Sequence, residues 1–242
     1  MNFVELGQIF AQYEAAELNR TVDPSDDMYA SGPEWYWSLG RSGVECVLQG
    51  LAVTPLSSVG SVLDLACNWG RTGRHLHAAF PDATIWYSDI NEQAAEFCAR
   101  EFSGKSIIAS SELTETPLPQ LDVMWIGSLF THLTETKTRT WLAYLAEHLN
   151  PHGILVATFH GRRTAEIFKN QFPELVSQTW PVAQESGWGY VPYDSADPEW
   201  GFSMNTVVRL AEIATDIPGV RIAGLVEAGW DGNHDVLTLL RI

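Results

Sequence analysis

From Ser61 onward, short apolar runs alternate with segments of helical spacing, a rhythm that predicts a parallel sheet with helices on both faces. The strand candidates are Ser61–Ala66, Thr84–Ser88, Ser106–Ala109, Leu121–Gly127 and Ile154–Phe159. Helical spacing fills Gly73–Phe80 and Glu92–Phe102. It is clearest over Lys137–Leu149, where Thr138, Trp141, Leu142, Leu145 and Leu149 share one stripe. Asn150-Pro151-His152-Gly153 supplies the stop and a turn into the next strand. Upstream, Phe3–Leu18 and Glu34–Leu51 read as helices, the first broken at Asp23-Pro24, the second bounded by Gly32-Pro33 and Thr54-Pro55. Downstream, Thr164–Phe172 and Thr206–Thr215 read as helices, and Pro173–Trp200 is a Trp-, Tyr-, Pro- and Gly-rich stretch whose length predicts a functional lid. The last strands, Arg221–Glu227 and Asp235–Arg241, are joined through Gly229-Trp230-Asp231-Gly232-Asn233 at hairpin spacing, so the sheet is expected to end antiparallel.

Composition narrows the classes. With 242 residues and 45% apolar content, the chain can bury a core of one α/β domain with an added element. No apolar run spans a bilayer, and Glu5, Glu14 and Glu17 sit where an export signal would be apolar. Thirty acidic against 14 basic residues give a net charge of −16, which repels a phosphate backbone and disfavours nucleic-acid partners. Cys46, Cys67 and Cys98 form no metal or redox spacing, and an odd, sparse set fits a reducing cytoplasm.

In an open α/β sheet the ligand lies beyond the carboxyl ends of the strands, at the switch point beside the first one. The loop after Leu65 is therefore the place to look. A dinucleotide fingerprint would place glycines where this chain has Ala66 and Asn68, keeping only Gly70, so a pyrophosphate cofactor is disfavoured. Asn68 can still make a left-handed turn. Asp64 can hold the loop or receive an ammonium group, and Asp89, 25 residues on at the second strand's end, is placed to accept two ribose hydroxyls. Taken singly, either aspartate could be a plain strand-end turn residue.

The run Val62-Leu63-Asp64-Leu65-Ala66-Cys67-Asn68-Trp69-Gly70 resembles the first motif of the class I S-adenosylmethionine-dependent methyltransferases. Asp122–Leu133 resembles that family's fourth-strand motif, Asn150–Gly153 its turn before strand five, and Trp230–Val236 the final hairpin of a bacterial subgroup. The resemblance implies a Rossmann-like fold: a seven-stranded, mostly parallel sheet with a C-terminal antiparallel hairpin and an N-terminal helical cap. It implies S-adenosylmethionine as the cofactor, with Asp64, Ala66, Asn68 and Gly70 on its methionine half, Asp89 at the ribose, and Cys67 and Ile90 also among the cofactor-binding residues. Ser128 and Leu129 would lie near it, Ser111 or Glu112 would serve the adenine, and Met28, Tyr29 and Tyr36 would close over it. Ala66 and Asn68 depart from the usual glycines, and the acidic residue usual after strand three is not evident.

On this topology His132, after strand four, His160, ending strand five, and His234, beginning the last strand, fall on the carboxyl-end rim. A near-neutral histidine suits removal of a hydroxyl proton during methyl transfer; the alternative is that these rings cap helices or bond to backbone. His75, His77, His148 and His152 are expected at the surface. A three-histidine metal site finds no support in the resemblance, and no metal is expected. Trp188, Tyr190, Tyr193 and Trp200 could pave an acceptor pocket, and either this set or the Trp35–Trp37 cluster could instead be a homodimer surface.

The expected protein is one methyltransferase domain: a cap over residues 1–58, a cofactor-binding core over 59–160, an insertion or lid over 161–205, and the last helix and hairpin over 206–242. The expected reaction is methyl transfer to a small-molecule acceptor at oxygen, with no nucleic-acid or membrane partner. The rivals are transfer to nitrogen or carbon, and a cofactor-binding scaffold without catalysis.

Overall fold

The computed structural model describes residues 3–242. They divide into two compact units, one running to Trp125 and adding His148–Ile154, the other holding Ile126–Glu147 and Leu155–Ile242.

In the first unit, helices α1 (Phe3–Ala15), α2 (Asp27–Ser31) and α3 (Pro33–Leu51) precede β1 (Ser61–Leu65), α4 (Gly73–Ala79), β2 (Thr84–Asp89), α5 (Glu92–Glu101), β3 (Lys105–Ile108) and β4 (Leu121–Ile126). Asp26 caps α2 by accepting the Tyr29 amide, Pro33 opens α3 where its missing N–H costs nothing, and Asn91 caps α5. Val62–Leu65 and Val123–Ile126 are buried on both faces, which is why these strands read as unbroken apolar runs. Strand β1 pairs in parallel with β2, and β2 with β3.

In the second unit come α6 (Glu135–Glu147), the end of β5 (Leu149–Phe159) from Leu155 on, α7 (Arg162–Phe168), α8 (Pro173–Ser186), a hairpin of β6 (Trp188–Asp194) and β7 (Asp197–Asn205), α9 (Val207–Thr215), β8 (Val220–Trp230) and β9 (His234–Arg241). Thr138, Trp141, Leu142 and Leu145 are buried on α6, the stripe expected from spacing. Strands β8 and β9 pair antiparallel, and their turn takes positive φ at Asp231 and Gly232, residue types suited to it. The strands of the main sheet follow the order β3-β2-β1-β4-β5-β9-β8. The order reverses between β1 and β4, which makes the ends of those strands the switch point. The antiparallel β9 sits inside the order rather than at its edge.

Three expectations are corrected. The stretch 173–200 is regular: Pro173 starts α8, Val176, Thr179 and Ala183 anchor it despite Pro181 within, and Gly187 ends it at φ +92 before the two-stranded sheet of β6 and β7. Strand β5 starts at Leu149, so the turn expected at 150–153 is absorbed into it, with His152 at φ 68. His75 is buried, its Nδ1 2.7 Å from the Tyr13 hydroxyl of α1. A helix packed on both sides has no surface stripe for it. No helix among the described residues is long and apolar enough to cross a membrane.

Candidate functional site

In the first unit, Asp64 is the penultimate residue of β1, and after Leu65 the chain enters a loop whose alternate residues are left-handed: Ala66 at φ 58, Asn68 at φ 45 and Gly70 at φ 78. The glycine-type backbone is thus present without two of its glycines. Only Gly70 is sterically obliged, because a Cβ there would lie 2.4 Å from the Phe102 ring. A left-handed alanine costs about 1–2 kcal/mol, and a new glycine adds unfolded-state entropy worth about 0.5–1 kcal/mol. Ala66→Gly should therefore raise the unfolding free energy by up to about 1 kcal/mol in urea denaturation. A clear loss of stability would show that residue 66 is not strained.

The loop is pinned from β2. Asp89 accepts the Asn68 amide at 2.8 Å on one carboxylate oxygen and the Asn91 amide at 2.9 Å on the other. The Cys67 amide donates to the Ser88 carbonyl at 3.1 Å, and the Cys98 thiol to the Asn68 carbonyl at 3.3 Å. Burial pushes the Cys67 thiol well above its usual range, so it is an inert packing group. Asp64 is 2% exposed, and its Oδ2 has no hydrogen-bond partner. Burial and the charge of Asp89 push its carboxyl up to about 8, against the Arg71 guanidinium and the Gly73 amide.

An orphaned buried carboxylate oxygen demands a donor or a cation. The ammonium of the methionine half of S-adenosylmethionine is both, and Asp89 keeps lone pairs for two ribose hydroxyls. Ile90, next in the chain and 67% exposed, offers apolar surface beside it. Ser111 is exposed on the loop after β3. The residues present fit that cofactor.

In the cap, Tyr29 is half-buried and meets Tyr36 edge-on at 5.3 Å. Its hydroxyl makes no hydrogen bond among the described residues. Tyr36 is committed elsewhere: its hydroxyl donates to Asp26 at 2.6 Å and accepts from Arg74 at 3.2 Å. Asp26 and Arg74 went unnoticed in the sequence. The cap signal of Asp26, two residues after Pro24, could have been found; Arg74 carries no signal beyond being a cation on an apolar helix.

In the second unit, Ser128 is left-handed at φ 64, and its amide donates to the Thr158 hydroxyl at 2.8 Å. Leu129 follows it and precedes the helical turn Phe130–His132. The Nδ1 of His132 lies 3.2 Å from the Gly201 carbonyl and 2.9 Å from the Tyr193 hydroxyl. A carbonyl only accepts, so Nδ1 carries the hydrogen and Nε2 keeps its lone pair. Trp200 stacks on the ring at 4.7 Å, and burial lowers the pKa, with the Gly201 carbonyl partly opposing. His132 is thus neutral at pH 7.

His160 is held in the same tautomer by the Ser203 carbonyl at 3.1 Å, and its ring meets His234 edge-on at 4.7 Å. Burial, then the neighbouring His234 and His132, drives its pKa well below the usual value. The Nδ1 of His234 lies 3.3 Å from the Thr158 hydroxyl. All three rim histidines therefore belong to one neighbourhood, of which His132 is the most accessible. Of the four aromatic candidates, Tyr193 and Trp200 touch His132 and remain substantially exposed. Trp188 is buried with its indole N–H unpartnered, and Tyr190 donates to the Pro198 carbonyl within the hairpin at 3.0 Å. Among the described residues no group of three or more His, Cys, Asp or Glu side chains could hold a metal ion.

Residues 63–155 match a family model described as a methyltransferase domain. No curated protein matches the sequence. Solved structures do match the fold. The magnesium protoporphyrin IX methyltransferase ChlM from Synechocystis PCC 6803, with bound SAH, is 14% identical; the match covers 100% of this chain and 96% of that one at TM-score 0.55. The plantazolicin methyltransferase BamL, in complex with a triazolic desmethylPZN analog and SAH, is 12% identical over 98% of this chain and 96% of that one at TM-score 0.62. The mitomycin 7-O-methyltransferase MmcR is 14% identical over 98% of this chain and 67% of that one at TM-score 0.56.

Proposed function

We propose that the chain is a class I S-adenosylmethionine-dependent methyltransferase that moves a methyl group to a hydroxyl oxygen of a small molecule, with His132 taking the proton. When bound, the cofactor supplies an electrophilic methyl group on a charged sulfur. The chain's own residues bind, orient and move the proton. Asp64 would receive the ammonium, Asp89 would accept the ribose hydroxyls, and the left-handed loop Ala66–Gly70 would hold the methionine half. Ile90 and Ser111 flank the adenosine, Tyr29 closes the cap side, and Ser128 and Leu129 keep their place on the family resemblance.

The observation that carries the reading is the buried, unpartnered oxygen of Asp64 at the end of β1. Transfer to oxygen is favoured over nitrogen or carbon by the fixed tautomer of His132, whose free Nε2 accepts a hydroxyl proton. The mitomycin 7-O-methyltransferase MmcR, a protein of the same fold, lends the oxygen reading support. Tyr193 and Trp200 form the acceptor wall, Trp188 and Tyr190 back it, and His160 and His234 stand behind as the lesser base candidates. The chain acts in the cytoplasm, alone or as a homodimer, without a nucleic-acid partner.

Titration calorimetry with S-adenosylmethionine from pH 6 to pH 8 tests this. Because Asp64 in the free protein is protonated below about 8, binding an ammonium there releases a proton. Affinity should rise toward pH 8 by up to about tenfold per unit, with proton release visible across buffers of different ionisation enthalpy. Binding that is flat with pH removes Asp64 from the ammonium; no binding at millimolar cofactor removes the function.

A further inference from the structure

Arg74 is 1% exposed and uses all five of its N–H donors. Nε donates to the Gly70 carbonyl at 2.9 Å and one terminal nitrogen to the Trp69 carbonyl at 3.1 Å, both in the cofactor loop. That same nitrogen donates to the Tyr36 hydroxyl at 3.2 Å. The other donates to the carbonyls of Asn19 at 3.2 Å and Thr21 at 2.8 Å, in the segment between α1 and α2. The rings of Phe102, Trp37 and Tyr36 lie 4.7, 5.2 and 5.3 Å from the guanidinium. Among the described residues no carboxylate bonds to it; Asp26 is reached through the Tyr36 hydroxyl. Burial accordingly lowers its pKa.

A buried cation without an ion-pair partner is a poor way to gain stability, since an apolar side chain of similar volume fills such a space at less cost. What an apolar side chain cannot do is join backbone carbonyls from two separate segments at once. A lysine cannot either, because its three donors radiate from one point, whereas the planar fork reaches five directions. The Gly70 carbonyl it grips belongs to the one loop residue that tolerates no Cβ, so the loop cannot yield around it.

We propose that Arg74 is a positioning residue that ties the cofactor loop to the N-terminal cap, so that cofactor binding and ordering of residues 19–37 are one event. The proposal rests on the reading that the Ala66–Gly70 loop holds the cofactor. It assigns the cap a role in retaining the cofactor rather than in packing alone.

Hydrogen exchange read by mass spectrometry, with and without saturating S-adenosylmethionine, tests it on the full chain. In the unaltered protein the cofactor should slow exchange over 19–37 as well as over 66–71. Arg74→Lys should weaken cofactor affinity about tenfold, the worth of one or two lost hydrogen bonds, and abolish the slowing over 19–37 at saturation. Tyr36→Phe leaves the bonds from Arg74 to the loop in place and severs Asp26. It should reduce the cap response as much as Arg74→Lys does while weakening affinity less, a split that loss of stability alone would not produce. If Arg74→Lys does not fold, the Tyr36→Phe split decides. Undiminished cap protection in either variant overturns the proposal. Cofactor binding that leaves 19–37 unchanged in the unaltered protein overturns it too, while calorimetry without any binding overturns the cofactor reading beneath it.

Discussion

Asp89→Ala is expected to weaken S-adenosylmethionine binding by about 10²–10⁴-fold, the largest binding effect of any single substitution in the chain. An ionised carboxylate has about four acceptor positions. The backbone amides of Asn68 and Asn91 take two of them, one on each oxygen, which leaves two for the ribose hydroxyls. Hydrogen bonds to a charged acceptor contribute about 1.5–3 kcal/mol each, so losing two costs about 3–6 kcal/mol. Alanine also frees the Asn68 amide and lets the left-handed turn at φ 45 relax, adding to the loss. Asp89→Asn should fall between, because one amide oxygen replaces two anionic ones and the NH₂ group faces a backbone N–H. Ser111→Ala, on an exposed loop, should change affinity little. Titration calorimetry reads all three. An unchanged dissociation constant for Asp89→Ala would remove the ribose assignment.

The main sheet was legible because its strands are buried on both faces, which turns them into short unbroken apolar runs such as Val62–Leu65 and Val123–Ile126. The closing hairpin was legible because Asp231-Gly232 demands positive φ. What stayed hidden was set by distant partners. Pro181 and the aromatic density of 173–200 masked a helix and a hairpin that form because Val176, Ala183, Phe202 and Met204 share a small core. His75 looked like a surface residue because nothing local announces that Tyr13, 62 residues earlier, lies over it.

The candidate site follows the same division. Asp64, the 66–70 loop and Asp89 lie within one strand-loop-helix-strand stretch, so spacing alone brings them together. The sequence allowed a left-handed Asn68; it gave no sign that Ala66 is left-handed too, since alanine avoids that region unless the surrounding fold imposes it. Arg74 was invisible because four of its five acceptors are backbone carbonyls, which have no residue signature. The partners that fix the tautomer of His132, Tyr193 and Gly201, stand 61 and 69 residues away on the hairpin no pattern had revealed.

That hairpin is what makes the second large effect specific to one histidine. His132→Ala is expected to lower kcat by about 10²–10⁴-fold, the usual worth of a positioned general base, and to leave cofactor affinity unchanged. The Gly201 carbonyl commits Nδ1 to donation, so only Nε2 can take a proton, and burial holds the ring neutral at pH 7. The sign of the pH dependence follows. With its pKa below the usual 6.5, the base is lost only as pH falls through that lowered value, so kcat/KM should be flat through neutrality and decline in acid. His132→Ala should erase that acid limb along with most of the rate. Tyr193→Phe removes one neighbour of Nδ1 and leaves the Gly201 carbonyl, so it should cost far less. His160 and His234 are more deeply buried, and their alanine variants should lower stability more than they lower turnover in the remaining folded enzyme. Nitrogen NMR of the ring provides a readout that needs no acceptor: it should report the Nδ1–H tautomer and a midpoint under 6.5. A protonated ring at pH 7, or full turnover in His132→Ala, would exclude His132 as the base.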